Sequence, residues 1–477
     1  MRATDSRSLP RWCRSLSAGA ALLAVGCTAV QTTTVAATPA VDGATAAEGT
    51  RSDESTCEDL RVGSFDARPS SFSLPAARCG HGFDALASTK SDFAWATLDL
   101  TGDRIPELVV VADGCDDDVG KVRWDVYDAS ASGFGNKPRS YALPAVRCGE
   151  RFEALASHDA DVAWETMDLT GDGKPDLVVT SDRCDDDIGR TRWDVYEGGA
   201  DGFAATPRAF AIPAARCEAA FARTAGTAKP LVWSVESLAG KRGPDLLVTS
   251  DACDADVGRT HWDRYPWSES GFAATPTPYA LPSPRCDRAF DALGSSQTTT
   301  LAWTTTDLSG DGRADLVVTS DACDADVATA HWDVYRGGES GFADVPAPFG
   351  LPASRCSAKL ASTVSAQREL GWSLVDLGGG RHPELLVTSD ACDTELGTKR
   401  WDAYAWSEAG FANKPRAVAV PAPRCEVAFD GLAGPGQVTY ATLSLTSPCL
   451  AQIVVTHDAC DEALGASRWD VHASLTE

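Results

Sequence analysis

The stretch MDLTGDGKPDLVVTSDRCDDDIGRTRWDVY, residues 167 to 196, decides how this chain is read. Eight acidic side chains crowd among glycines, one cysteine and strand-forming residues. Carboxylates at that density repel one another unless cations sit among them. Near copies recur from residue 57 onward with a period of about 70 residues, the mark of a repeat architecture. A Trp-Asp step closes each copy, at Trp124, Trp193, Trp262, Trp332, Trp401 and Trp469. A Cys-Asp string precedes each step, at Cys115, Cys184, Cys253, Cys323, Cys392 and Cys460. A second cysteine follows an arginine at Cys79, Cys148, Cys217, Cys286, Cys356 and Cys425. A phenylalanine after glycine or serine recurs at Phe65, Phe134, Phe203, Phe272, Phe342 and Phe411.

Each copy reads as four short strands. In the second, VAWETMDL alternates apolar and polar positions, and DLVVTS is a continuous apolar run suited to burial on both faces. RWDVYE alternates again, and the prolines of FAATPRAFAIP suit an edge strand. The turn strings GDG and GGADG separate them. Six such units without helical periodicity predict an all-β fold, a six-bladed β-propeller of four-stranded antiparallel blades. The last copy stops after RWDVHASLTE without its fourth strand, while an unpaired fourth strand, residues 64 to 75, precedes the first copy. The expectation is a closed ring in which the N-terminal strand completes the last blade by lying beside residues 468–472.

DLTGDGKPDLVVT followed by WDVY, a glycine-rich turn, GF and LP resembles the FG-GAP/VCBS repeats over residues 57–477. That resemblance implies a propeller with calcium in the loop between a blade's first two strands, in a class common among extracellular adhesion and carbohydrate-associated proteins. Calcium takes about 6–8 oxygen ligands, and a glycine turn with acids at alternate positions aims them at one centre. The expected ligands are Asp168, Thr170, Asp172 and Asp176 with the Lys174 carbonyl in copy two, and Asp307, Ser309, Asp311 and Asp315 in copy four. Copy one offers Asp99, Thr101, Asp103 and Glu107, with Arg104 in place of the turn glycine. No calcium is expected in copy three (Ser237, Ala239, Lys241), copy five (Gly378 and Gly380 between Asp376 and Glu384) or copy six (Ser444, Pro448, Gln452). The second acidic string, Asp182, Asp185 and Asp187 in copy two, is read as backbone caps beside a disulfide. A ring of cation sites is the alternative. The repeated tryptophans are read as packing between blades. Trp267 and Trp406, outside the repeat pattern, are candidates for exposed contacts.

The first 27 residues read as a signal segment. Arg2, Arg7, Arg11 and Arg14 precede a short apolar run, and LLAVGC resembles a bacterial lipobox with Cys27 as the lipid-bearing residue. The small and polar residues 28–56 read as a flexible tether. The expected location is therefore outside the cytoplasm, lipid-anchored to the cell envelope (the outer membrane in a Gram-negative cell) with that anchor as the only membrane contact; the alternative is an ordinary signal peptide cut a little later and a secreted protein. Of 16 cysteines, 14 remain once Cys13 and Cys27 are set aside, and export argues for disulfides. Two pairings fit the spacing: Cys115–Cys148 and its equivalents within a copy, or Cys79–Cys115 and its equivalents. The short proline-to-cysteine distance favours the first, with Cys460–Cys79 clasping the ends and Cys57 paired to Cys449. A net charge of −26 argues against nucleic acid. No nucleophile elbow, phosphate loop or zinc cysteine pairing stands out, so a non-enzymatic module that binds a glycan or protein is expected. The alternatives are a polysaccharide-acting propeller lyase or hydrolase, and a structural envelope protein.

Overall fold

A computed structural model describes residues 60–477 except 228, 239, 241–242, 297–299, 367–368 and 381. The signal segment, Cys27, the tether, Cys57 and Lys241 lie outside the described residues. The described chain is all-β and forms six sheets, one per repeat. No helix among the described residues is long and apolar enough to cross a membrane.

Repeat two shows the plan. Val162–Met167, Asp176–Asp182, Arg192–Tyr196 and Arg208–Ala211 pair antiparallel in sequence order. The run DLVVTSD is buried at six of its seven positions, because apolar side chains leave both faces of the sheet at once. The fourth strand buries Phe210 alone, as an outer strand should. Two features are additional to the four expected strands. A short strand, Ala156–His158, pairs outside the first. A hairpin from repeat three, Trp267–Ser268 with Gly271–Phe272, then joins the fourth strand in parallel, at Ala211 opposite Gly271.

That hairpin explains the Gly-Phe step. Gly271 has φ +140°, and a Cβ there would stand 2.4 Å from the Ala211 carbonyl oxygen. Only glycine lets the hairpin abut its neighbour so closely. The Phe272 ring then packs edge-on against Trp193 at 5.6 Å and Phe210 at 5.0 Å. The same contact joins Phe203 to Trp124, Phe342 to Trp262, Phe411 to Trp332 and Phe65 to Trp401, and Phe134 of repeat one reaches Trp469 of repeat six. Each Trp-Asp indole is buried and donates its N–H to a backbone carbonyl of the following repeat. Trp124 donates to Phe152, Trp193 to Phe221 and Trp332 to Leu360, each at 2.7 Å. Trp469 donates to Phe83 at 2.6 Å, so the last repeat treats the first as its successor.

The core is therefore six apolar clusters between sheets, not one centre. One cluster joins Trp124, Val109 and Tyr141 of repeat one to Trp164, Leu177 and Val179 of repeat two. Another joins Trp469 and Val454 of repeat six to Trp95, Leu108 and Phe134 of repeat one. The first-strand aromatics Trp95, Trp164, Trp303, Trp372 and Tyr440 are buried in these layers, as the packing reading expected.

The chain ends meet, but only part of the expected strand 64–75 lies beside residues 468–472, because Ser64 and Phe65 pair with Ala419 and with Leu475 and Ser474 instead. Ser70–Ser73 pairs antiparallel with Arg468–His472, with Phe72 opposite Trp469. Val62–Phe65 adds a second tie, between Arg416–Ala419 and Ser474–Thr476. His472 closes this junction where the other repeats carry Tyr127, Tyr196, Tyr265, Tyr335 and Tyr404. Its Nδ1 donates to the Asp66 carbonyl at 2.7 Å, and Nε2 is buried without a partner. Burial is the largest effect holding its pKa below the ordinary histidine value, and Arg424 adds to it; the Asp66 carbonyl and the Asp470 carboxylate oppose it. A pKa lower folded than unfolded means that its contribution is complete above the unfolded value and is lost as pH falls below it. His472→Tyr should therefore lose less melting temperature between pH 7 and pH 5 than the parent does, by about 1–2 °C in a chain of this size. An unchanged pH profile in scanning calorimetry would count against this account.

Candidate functional site

Two sets of carboxylates occupy opposite ends of the strands. The first is the loop between first and second strands. In repeat two Asp168 Oδ1 accepts the Gly171 N–H at 2.6 Å and Oδ2 accepts that of Gly173 at 2.8 Å. Asp172 Oδ1 accepts the N–H of Lys174, and Asp176 Oδ2 accepts those of Leu169 and Thr170. Asp307, Asp311 and Asp315 repeat this pattern in repeat four, with the Ser309 N–H on Asp315. In repeat one Arg104 takes the turn glycine's place at φ +67°. Its N–H still reaches Asp99 at 2.7 Å, Asp103 still accepts the Ile105 N–H, and Glu107 accepts that of Leu100. Thr101 Oγ lies 3.4 Å from Asp99 Oδ1. The predicted sets are thus brought together in all three loops.

These loops bury charge. Burial pushes Asp176 and Asp315 up to about 6 and Glu107 up to about 7. It also raises Asp168 and Asp307, with the neighbouring Asp172 and Asp311 carboxylates adding to the rise. In the other three repeats the last position of the loop is answered from within the protein, although burial still pushes Asp376 of repeat five up to about 6. Arg416 bonds Glu384 through both carboxylate oxygens at 3.1 Å in repeat five. In repeat three Arg264 stands 3.5 Å from Asp245. Repeat six uses a neutral Gln452, whose Oε1 accepts the N–H groups of Leu445 and Thr446. In repeat four the partly exposed Arg336 stands 3.9 Å from Asp315.

Trp267 is not a free surface ring. Its indole N–H donates to the Leu169 carbonyl of the loop in repeat two at 2.7 Å, and its ring covers Gly243. Trp406 stacks on His382 at 3.7 Å. Both rings are half-buried, which corrects their reading as exposed contacts.

The second set lies at the other end, and arginines answer its charge. Arg147 Nε bonds Asp182 at 2.6 Å, while its Nη1 bonds Asp194 at 2.8 Å and the Tyr196 hydroxyl at 2.9 Å. Arg192 spans Asp185, Asp187 and Asp194 at 2.6, 3.3 and 3.2 Å. Asp182 and Asp185 also cap the backbone N–H groups of Cys184 and Asp187, as the capping reading expected. Arg78, Arg216, Arg285, Arg355 and Arg424 make the two carboxylate contacts elsewhere, and all but Arg424, which has His472 in the tyrosine's place, also reach the tyrosine hydroxyl. The arginine before each repeat cysteine was visible in the sequence; its role as counter-ion to the next repeat's Trp-Asp aspartate was not.

The disulfides follow those arginines and correct the expected pairing. The bonds are Cys79–Cys115, Cys148–Cys184, Cys217–Cys253, Cys286–Cys323, Cys356–Cys392 and Cys425–Cys460. None is Cys115–Cys148 or an equivalent, and Cys460 does not bond Cys79. The cause is local. Cys148 sits at φ +49°, in a tight turn where Arg147 pairs with Glu150. That turn carries the chain off its own sheet, and Cys148 bonds forward. Cys449 is disulfide-bonded, and its expected partner Cys57 lies outside the described residues.

An open cleft of about 500 Å³ flanks repeat one, where residues 76–78 arrive from the N-terminal strand. Arg78, Asp116, Arg123, Asp125, Tyr127 and Asn136 line it, with Pro138 and Ser140.

No family model and no curated protein matches the chain. Among solved structures it is similar to a Photorhabdus luminescens Tc holotoxin pore, at 16% identity and TM-score 0.46, over 88% of this chain and 15% of that one. The chain thus spans about 15% of the toxin's length. It is also similar to the Dos1 propeller, at 9% identity and TM-score 0.22 over 87% and 88% of the two chains. An ulvan lyase bound to its polysaccharide matches at 12% identity and TM-score 0.22, over 87% and 86%.

Proposed function

We propose that this chain is a calcium-stabilised, six-bladed β-propeller of the FG-GAP/VCBS type, exported and lipid-anchored through Cys27, that binds a glycan outside the cytoplasm. Ring closure is supported by the cycle of Phe–Trp contacts, which returns from Phe134 to Trp469. The calcium reading is supported by charge. The last carboxylate of the loop is neutralised internally, or replaced by an amide, where the ligand pattern is broken, and lies buried with Asp168 or Asp307 where it is kept. Asp168, Thr170, Asp172 and Asp176 would hold the ion in repeat two, their equivalents in repeats one and four. Calcium would supply positive charge and loop rigidity there, and no chemistry.

The glycan reading rests on the lateral cleft of repeat one. Two guanidinium groups, two carboxylates and a phenol, paired with one another, line it beside the Pro138 ring, and the exposed Asn136 amide and Ser140 hydroxyl supply the donors and acceptors that a polyhydroxylated ligand satisfies. Asn136 and Ser140 are exposed, so changing them leaves the core intact. Calcium-loaded protein should retain a subset of glycans on an array, and Asn136→Ala with Ser140→Tyr should cut that retention by about tenfold, the loss of roughly 1.4 kcal/mol. A blank array, or binding that ignores both substitutions, would sink the assignment.

A further inference from the structure

The chain contains two asparagines, Asn136 and Asn413, and both stand in the string Asn-Lys-Pro-Arg at the same place in repeats one and five. Each lies in the bend three residues before a fourth strand, Arg139–Ala142 or Arg416–Ala419. The bend itself does not call for an amide. Ala205, Ala274 and Ala67 hold the place in repeats two, three and six with the same bend, and neither asparagine has a positive φ. Both side chains are exposed, and neither amide has a hydrogen-bond partner among the described residues. Lys137 and Lys414 follow them, also exposed and without an ion partner among the described residues.

The groups that line the cleft with Asn136 recur in repeat five. In repeat one Arg123 bonds Asp116 at 2.7 Å and Asp125 at 2.9 Å, and Arg78 stands 3.8 Å from Asp116 and 3.4 Å from the Tyr127 hydroxyl. In repeat five Arg400 bonds Asp393 at 2.7 Å and Asp402 at 3.2 Å, and Arg355 stands 3.5 Å from Asp393 and 3.2 Å from the Tyr404 hydroxyl. The strand register matches, with Asp125 opposite Ser140 and Asp402 opposite Ala417. A hydroxyl is kept but moved, because Ser354 replaces Ala77 where Ala417 replaces Ser140. Every other repeat lacks a member of the set. Repeat two has Ala205 for the asparagine, repeats three and four have His261 and His331 for Arg123, and repeat six has His472 for Tyr127.

We propose that repeat five carries a second saccharide site, built on Asn413 and Lys414, and that the protein grips one acidic oligosaccharide class at two points, repeats one and five. This rests on the glycan reading of the cleft in repeat one and deepens it. An amide both donates and accepts, so it answers the hydroxyls of a sugar, and the ammonium beside it answers a carboxylate. The ligand class is therefore a uronate-containing oligosaccharide. Two weak contacts on one scaffold multiply when the glycan is long or densely displayed, without any new contact at either site.

The scarcity of asparagine supplies the test. Calcium-loaded protein labelled with nitrogen-15 asparagine shows one side-chain amide pair for each of the two residues, and Asn413→Ala assigns them. That variant installs the residue three repeats already carry, so its fold is safe, and an unchanged melting temperature checks it. Trigalacturonate and a hyaluronan tetrasaccharide are the probes, with maltotriose as the uncharged comparison. Both amide pairs should shift with at least one uronate oligomer and stay still with maltotriose. On a surface dense in that oligomer, Asn413→Ala alone should cut retention by about tenfold or more, as two-point attachment falls to one. Movement of Asn136 alone would overturn the second site and leave the glycan reading standing. Movement of both with maltotriose but with neither uronate would overturn the ligand class. Two still amides together with a blank glycan array would remove this site and the glycan reading alike.

Discussion

Chelating calcium should lower the melting temperature of this protein by about 5–10 °C. An ion at about one hundred times its Kd stabilises the folded state by roughly 2.7 kcal/mol per site, so three loops contribute on the order of 8 kcal/mol. Unfolding entropy near 2.1 cal/mol/K per residue over about 420 residues converts each kcal/mol into roughly 1 °C. The direction follows from the loops themselves. Asp168 and Asp176 share one loop, and burial raises the pKa of both, so each ionised carboxylate is held at a cost. A bound cation removes that cost; its withdrawal restores it. Asp172→Ala should reproduce about a third of the fall. Gln452→Glu, placed where an amide now does the carboxylate's hydrogen bonding, should not create a calcium response, because Ser444 and Pro448 supply no carboxylate partners. Differential scanning calorimetry with and without chelator decides this, and superimposable traces would remove the metal assignment.

Arg147→Ala should destabilise the protein by about 3–5 kcal/mol, the usual cost of leaving buried charge without its partner. The side chains of Asp182 and Asp194 are 3% and 7% exposed, and both lean on this one guanidinium. Arg192 still reaches Asp194, so the larger share of the loss falls on Asp182. Arg147→Lys should recover only part of it, since an ammonium cannot span two carboxylates and a phenol in one plane. Arg151→Ala, whose partner Glu153 is solvent-exposed, is the control and should change stability by less than about 0.5 kcal/mol. Denaturant titration at fixed calcium measures all three, and a loss for Arg147→Ala no larger than the control's would show that the clasp is ornamental to stability.

Much of the architecture was legible because period-2 alternation and continuous apolar runs are local. DLVVTS is buried on both faces for the reason its composition suggests, and the missing fourth strand of the last repeat is supplied by Ser70–Ser73. The acid loops were legible for the same reason: Asp168 to Asp176 lie within one turn, and spacing alone decides which carboxylates can converge. The Gly-Phe hairpin was legible only as punctuation, since its purpose is a neighbour's tryptophan in another repeat.

The amino-acid order by itself determined the repeat, the strands and the loop carboxylates, because each depends on residues a few positions apart. Tertiary structure alone decided which repeat each cysteine and arginine serves. Cys148 lies about equally far in sequence from Cys115 and Cys184, 33 and 36 residues, so spacing could not choose. The left-handed turn at Cys148 did, by aiming the thiol and the guanidinium beside it at the following sheet.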